Sequence, residues 1–253
     1  MNGQIEKISN PVSGGSGLTN SVFGDTTRDY SGINYLGLQY FGSMSASIAH
    51  EIKNTLAITN ENAGLMEDLS LMVIRNGQSL DPQKMARLSH KVMDQVKRAD
   101  EIVKKMSRFA HSVDDPVKVV SLTEVLELTL DLGRRAAASY SVTLGPVRCD
   151  SSISIQTNPF MLMNLFWLVV KSALKRVNND KKIEIELSNS ILKEDAKDRK
   201  TNVNISIINL LPPQLPCEQD KEQQNQIIEL ADLLNADVDM NNEDKIIITI
   251  ITN

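Results

Sequence analysis

Among the side chains able to carry a covalent group, His50 has the most suggestive surroundings, in the run Ser45-Ala46-Ser47-Ile48-Ala49-His50-Glu51-Ile52-Lys53-Asn54-Thr55-Leu56. At about 100° per residue on a helix, His50 is rotated roughly 200° from Ile48 and from Ile52, while Asn54, four residues on, shares its face. If the two isoleucines face a core, the imidazole faces solvent. An exposed ring nitrogen, partly neutral near pH 7 and flanked by a group that manages its proton, is suited to receive a phosphoryl group from another protein. Glu51 supplies that group. A plain surface histidine on a polar helix face would look the same, and spacing alone does not separate the two.

The elements that must hold this run are legible. Residues 1–31 are rich in Gly, Ser, Asn and Thr without apolar period, which predicts a disordered leader. From about Asn34 to Asn76 the apolar residues Ile48, Ile52, Leu56, Ala63, Met66, Leu69 and Val73 are spaced as one face of a long helix. Asn76-Gly77 is a stop signal and Asp81-Pro82 a start signal, with Asp as N-cap and Pro in the first helical position. The second helix carries a heptad seam at Met85, Leu88, Val92, Gln95, Ala99, Ile102, Met106 and Phe109. Two such helices joined by a short turn form an antiparallel hairpin, and so thin a hairpin is expected to cover its apolar surface with a second copy, as a dimeric four-helix bundle. With the turn near Gln78, residues 106 or 107 are expected level with His50, which would set Lys104, Lys105 and Arg108 at its height as contacts for an acidic partner. A solvated basic helix end reads equally well from the same residues.

The run Ala49-His50-Glu51-Ile52-Lys53-Asn54-Thr55-Leu56 resembles the H-box of sensor histidine kinases, A-H-E-[I/L]-[R/K/N]-N-P-L. Arg98-Ala99-Asp100-Glu101-Ile102-Val103 followed by Phe109-Ala110 is similar to that family's second-helix pattern, and Val120 to Leu126 looks like the start of its kinase domain. The resemblance implies that His50 is the phosphoacceptor, that Glu51 is its acid/base neighbour, and that Asn54 helps aim a water at a phosphorylated response regulator. It also implies a receiver domain as partner, for which Lys53, Lys104, Lys105 and Arg108 are the candidate contacts. Thr55 stands where the family has proline, which removes a kink-prone residue without touching His50.

After Asp114-Asp115-Pro116 the texture becomes α+β. Helices are predicted at 121–138, 159–176 and 224–234, and strands at 142–144, 152–156, 182–188, 203–209 and 245–252. In the family this region holds ATP and Mg²⁺ through an asparagine-bearing helix, a D-x-G-x-G segment and a glycine-rich lid. By the resemblance Leu168 and Ser172 replace the two asparagines, and Asn209-Leu210-Leu211-Pro212-Pro213 replaces the D-x-G-x-G segment. Gly145 is the last glycine, so the final 108 residues contain none, and a loop whose backbone must approach phosphates closely lacks its usual residue. About eight residues separate Pro216 from the last predicted helix, too few for a lid. The expectation is a retained fold with no cofactor: neither ATP nor Mg²⁺ is expected to bind.

Composition narrows the rest. A net charge of −5 with interspersed signs leaves no basic stripe for nucleic acid. The longest apolar run, Leu165 to Val170, is far short of a membrane span, and no signal pattern opens the chain, so a cytoplasmic protein is expected. Cys149 and Cys217 are too few and too far apart for a metal or disulfide framework. The predicted organisation is a leader over residues 1–31, a dimerisation and phosphotransfer hairpin over 32–115, and a degenerate ATPase-like α+β sandwich over 116–253. The predicted function is phosphoryl exchange between His50 and a response-regulator aspartate within a homodimer, with regulator dephosphorylation as a second activity. An ATP-dependent histidine kinase and a non-enzymatic dimeric scaffold are the alternatives.

Overall fold

A computed structural model describes residues 31–77, 79–191, 201–213 and 218–252. The expected leader lies outside them, apart from Ser31, which opens the first helix.

Helix α1 spans Ser31–Asn76 and α2 spans Pro82–Ala110. Gly77 ends α1 in the left-handed region at φ 63°, where a side chain would be strained, and its N–H bonds Val73 O at 3.0 Å. The Asp81 carboxylate caps α2, accepting from Gln83 N at 2.8 Å and Lys84 N at 3.2 Å, as the Asp-Pro signal predicts.

The face that α1 turns to α2 differs from the expected one. Leu56 and Ala63 are exposed, whereas Thr55 is buried at 2 % exposure. A threonine tolerates that position because its hydroxyl donates to a carbonyl one turn back. Thr55 bonds Glu51 O and Thr59 bonds Thr55 O, both at 2.9 Å, and Ser70 bonds Met66 O at 2.8 Å. Hydroxyls satisfied within their own helix can line an interface that a count of apolar residues assigns elsewhere.

The hairpin register differs as well. Phe41 stacks on Phe109 and Glu51 pairs with Arg98, so each step up α1 is matched by a step down α2. His50 therefore lies level with Ala99 and not with residue 106 or 107, an offset of about seven residues or roughly 10 Å. The expectation assumed a symmetric turn, but in the observed register α1 continues past the level at which α2 starts.

The second half comprises β1 (Lys118–Ser121), α3 (Leu122–Ser139), β2 (Thr143–Cys149), β3 (Ser154–Thr157), α4 (Pro159–Leu174), β4 (Lys182–Ile191), β5 (Thr201–Ile208), α5 (Glu218–Leu233), β6 (Ala236–Asp239) and β7 (Lys245–Thr252). β1 and β3 form a small antiparallel pair, and the main sheet runs β2-β4-β5-β7-β6, parallel only between β2 and β4. Along β4, β5 and β7 every second side chain is buried, as in Ile183, Ile185 and Leu187. The sheet therefore turns one apolar face toward the helices, while the other mixes Glu184, Glu186, Asn204 and Ser206 with Ile208, Ile247 and Ile251.

Helix α4 lies at the centre, with twelve of its sixteen residues buried. It meets α3 at Gly133, where a Cβ would come within 2.2 Å of the Trp167 ring, so this crossing needs glycine. It meets the hairpin at Phe160, which with Tyr40, Phe41 and Phe109 forms a four-ring cluster whose centroids lie 5.2–6.4 Å apart. Hairpin and sandwich thus share one core. Burial there pushes the Tyr40 phenol far above its usual ionisation range, with the Thr129 hydroxyl as a polar neighbour.

Candidate phosphoryl-transfer site

His50 is exposed near the middle of the 46-residue α1, with Lys53 and Asn54 exposed one turn on. Ile48, buried on the opposite side at 3 % exposure, and Thr55 anchor the helix beneath them. Glu51 is turned toward α2, where Arg98 Nη2 donates to its Oε1 at 3.1 Å. The structure thus groups His50, Glu51 and Asn54 and adds Arg98. Sequence reasoning had only placed Arg98 within a helix pattern, and its proximity depends on a register that spacing did not reveal.

The three other predicted cations lie elsewhere. In the observed register Lys104, Lys105 and Arg108 sit beyond His50's level, toward the sandwich. Lys104 pairs with Asp100 at 2.6 Å, and that hydrogen bond and charge raise the ammonium's pKa. Lys105 reaches Asp131 of α3 at 2.8 Å, and Arg108 reaches Glu124 of α3 at 3.5 Å. The last two therefore tie α2 to the sandwich. Asp131 also accepts from Arg134 at 2.9 Å. Desolvation favours its neutral form, but the hydrogen bonds and charges of Lys105 and Arg134 outweigh this and hold the carboxyl below its ordinary range.

In the sandwich, Leu168 and Ser172 are covered by α5. Gln223 Nε2 donates to Leu168 O at 2.7 Å and to Ser172 Oγ at 3.0 Å. α5 begins at Glu218, earlier than expected, because the polar run Glu218 to Gln224 shows no apolar period to reveal it. Arg176, at the end of α4, donates to three carbonyls: Leu211 at 2.9 Å, Met240 at 2.8 Å and Asn242 at 2.7 Å. That clamp fastens the segment after β5 to the β6–β7 turn. Asn209 and Asn235 take the left-handed conformation at φ 71° and 50°, so this glycine-free stretch makes its tight turns with asparagine. Their Cβ atoms remain in the way of a close backbone approach. The cavity bordered by Leu168, Lys171 and, from α1, Gln39 and Ser43 is about 210 Å³, smaller than the roughly 300–1,000 Å³ of ordinary ligand pockets.

No family model and no curated protein matches the chain. Among solved structures, the Acinetobacter baumannii histidine kinase AdeS is similar at 10 % identity, with a TM-score of 0.40, over 76 % of this chain and 95 % of its own. The cytoplasmic segment of histidine kinase QseC is similar at 12 % identity, with a TM-score of 0.41, over 62 % and 95 %. The catalytic domain of histidine kinase ThkA is similar at 13 % identity, with a TM-score of 0.40, over 54 % and 95 %. No helix among the described residues is long and apolar enough to cross a membrane, and no group of three or more His, Cys, Asp or Glu among them could hold a metal ion.

The Lys105–Asp131 tie has a pH signature. A carboxyl whose folded pKa is depressed adds stability above its unfolded value, near 3.9, and loses it as pH falls through the folded value. Asp131→Asn is expected to lower stability at pH 7 by under about 1 kcal/mol. In urea titrations the gap to the unmodified protein should begin to close below about pH 4. A gap unchanged in acid would contradict the assignment.

Proposed function

We propose that this chain is a phosphotransfer protein that exchanges a phosphoryl group between His50 and an aspartate of a response-regulator receiver domain, without binding nucleotide. The observation that carries this reading is the presentation of His50: a solvent-facing imidazole on a rigid hairpin, with a carboxylate one residue away and an amide on its own face. In the forward step a ring nitrogen's lone pair attacks phosphorus, and the phosphorus–oxygen bond to aspartate breaks with its electrons returning to that carboxylate. The proton left on the imidazolium passes to Glu51 or to solvent. Asn54 serves hydrolysis by orienting a water toward the aspartyl phosphate, and Lys53 and Lys104 offer charge to the acidic receiver.

Three features support the absence of nucleotide: Gln223 bonded to Ser172 and Leu168, Arg176 clamping the segment after β5, and no glycine after Gly145. An ATP-dependent kinase would need a site there. The protein works in the cytoplasm, the hairpin of residues 32–115 being the transfer module and residues 116–253 its docking support.

The hairpin is also the dimer interface. Taking Ile48 of α1 and Gln95 of α2 as each pointing toward the opposite helix, Leu56 and Ile74 lie about 80° round α1, and Val96 and Val103 lie about 80–100° round α2 on the same side. Glu51 and Arg98 lie on the other. Leu56, Val96 and Val103 are 57 %, 56 % and 53 % exposed in the single chain, whereas Ile102 is already buried. The seam read from sequence therefore holds the chain to itself, and this neighbouring stripe awaits a second copy.

Two tests follow from these placements. In incubations with phosphorylated receivers, His50→Ala is expected to abolish phosphohistidine formation, and Asn54→Ala to spare it while slowing release of free phosphate. Labelled His50→Ala protein would contradict the reading. Val103→Asp costs a single chain little but would bury a charge in a bundle. Light scattering is expected to give a folded monomer for that variant and a dimer for the unmodified protein, and an unmodified monomer would refute the bundle.

A further inference from the structure

The transfer reading assigns Arg98 no role, yet the structure sets it beside the acid/base candidate. Arg98 lies one residue from the level of His50, on the side of the hairpin opposite the dimer stripe. Its side chain is 57 % exposed and makes one polar contact among the described residues, from Nη2 to Glu51 Oε1 at 3.1 Å. A pair this exposed adds little to stability. It does hold both partners: adjacent side chains on a helix diverge by about 100°, so a Glu51 drawn toward α2 is drawn away from His50. The single contact also leaves the other donors of the guanidinium fork for an incoming oxyanion.

We propose that Arg98 is a phosphoryl-binding residue held in reserve by Glu51. This rests on the reading of His50 as phosphoacceptor. When an aspartyl phosphate is brought to His50, its dianion competes with the singly charged carboxylate for Arg98, since phosphate offers more charge and a geometry that suits the guanidinium fork. Arg98 then clamps the phosphoryl oxygens, and Glu51 is released to take the imidazole proton. One exchange of partners thus supplies anion stabilisation and base together. Lys105, also on α2, is engaged with Asp131.

The test compares Arg98→Gln and Arg98→Lys with the unmodified protein in two measurements on the full chain. Labelling of His50 from a phosphorylated receiver is expected to slow about tenfold or more in Arg98→Gln, with part of the rate restored in Arg98→Lys. Affinity for a beryllofluoride-activated receiver, whose aspartate carries a phosphoryl mimic, should fall in Arg98→Gln while affinity for the unmodified receiver does not. Thermal midpoints should be unchanged, which excludes a structural cause. If Arg98→Gln labels at the unmodified rate, or loses both affinities equally, Arg98 is no phosphoryl ligand although the transfer reading stands. If the unmodified protein is not labelled by any receiver, the transfer reading fails and takes this proposal with it.

Discussion

The register of the hairpin depends on one aromatic contact: Phe41 of α1 lying flat on Phe109 of α2, with ring centroids 5.2 Å apart and planes 18° from parallel. Phe109 is buried against Tyr40 and Phe160, and the half-buried Phe41 also meets Phe160, so this pair is both the clasp between the two helices and the joint between hairpin and sandwich. Large rings in a packed core cannot slide by a turn without opening voids, at a cost of several kcal/mol. Everything farther along α1 inherits its level from that clasp. It sets His50 level with Ala99, brings Glu51 within reach of Arg98, and sends Lys105 and Arg108 down to α3.

A second constraint shapes the sandwich. α4 is apolar almost all round and must be covered on every side. The sheet, α3, α5 and the start of α1 do this between them. The polar end of α4 is then satisfied by side chains, Gln223 on Ser172 and Arg176 on three carbonyls, because buried polar groups left without partners are costly.

Much of this was legible in the sequence, and the failures have identifiable causes. The Asp81-Pro82 start, the Gly77 stop and the alternation of Ile183, Ile185 and Leu187 are local signals, and the elements they specify form where expected. The face of α1 was misjudged because Thr55 satisfies its own hydroxyl, so apolarity did not report burial. β1 and β6 were missed because each is only four residues long, too short for an alternation to show, and each forms by pairing with a neighbour. The register was misjudged because the distance at which two helices clasp is set by long-range ring packing. The exposure of His50 followed from helical rotation alone, whereas its partnership with Arg98 required the clasp.

The most direct measurement offers one preparation of the full chain two phosphoryl donors in separate reactions, Mg²⁺ with labelled ATP and a labelled phosphorylated receiver domain, and follows acid-labile label on His50. Label from the receiver, with none from ATP and no saturable heat of ATP binding, is the expected result. Label on His50 from ATP alone, or micromolar ATP binding, would contradict the proposed transfer between His50 and a receiver without nucleotide.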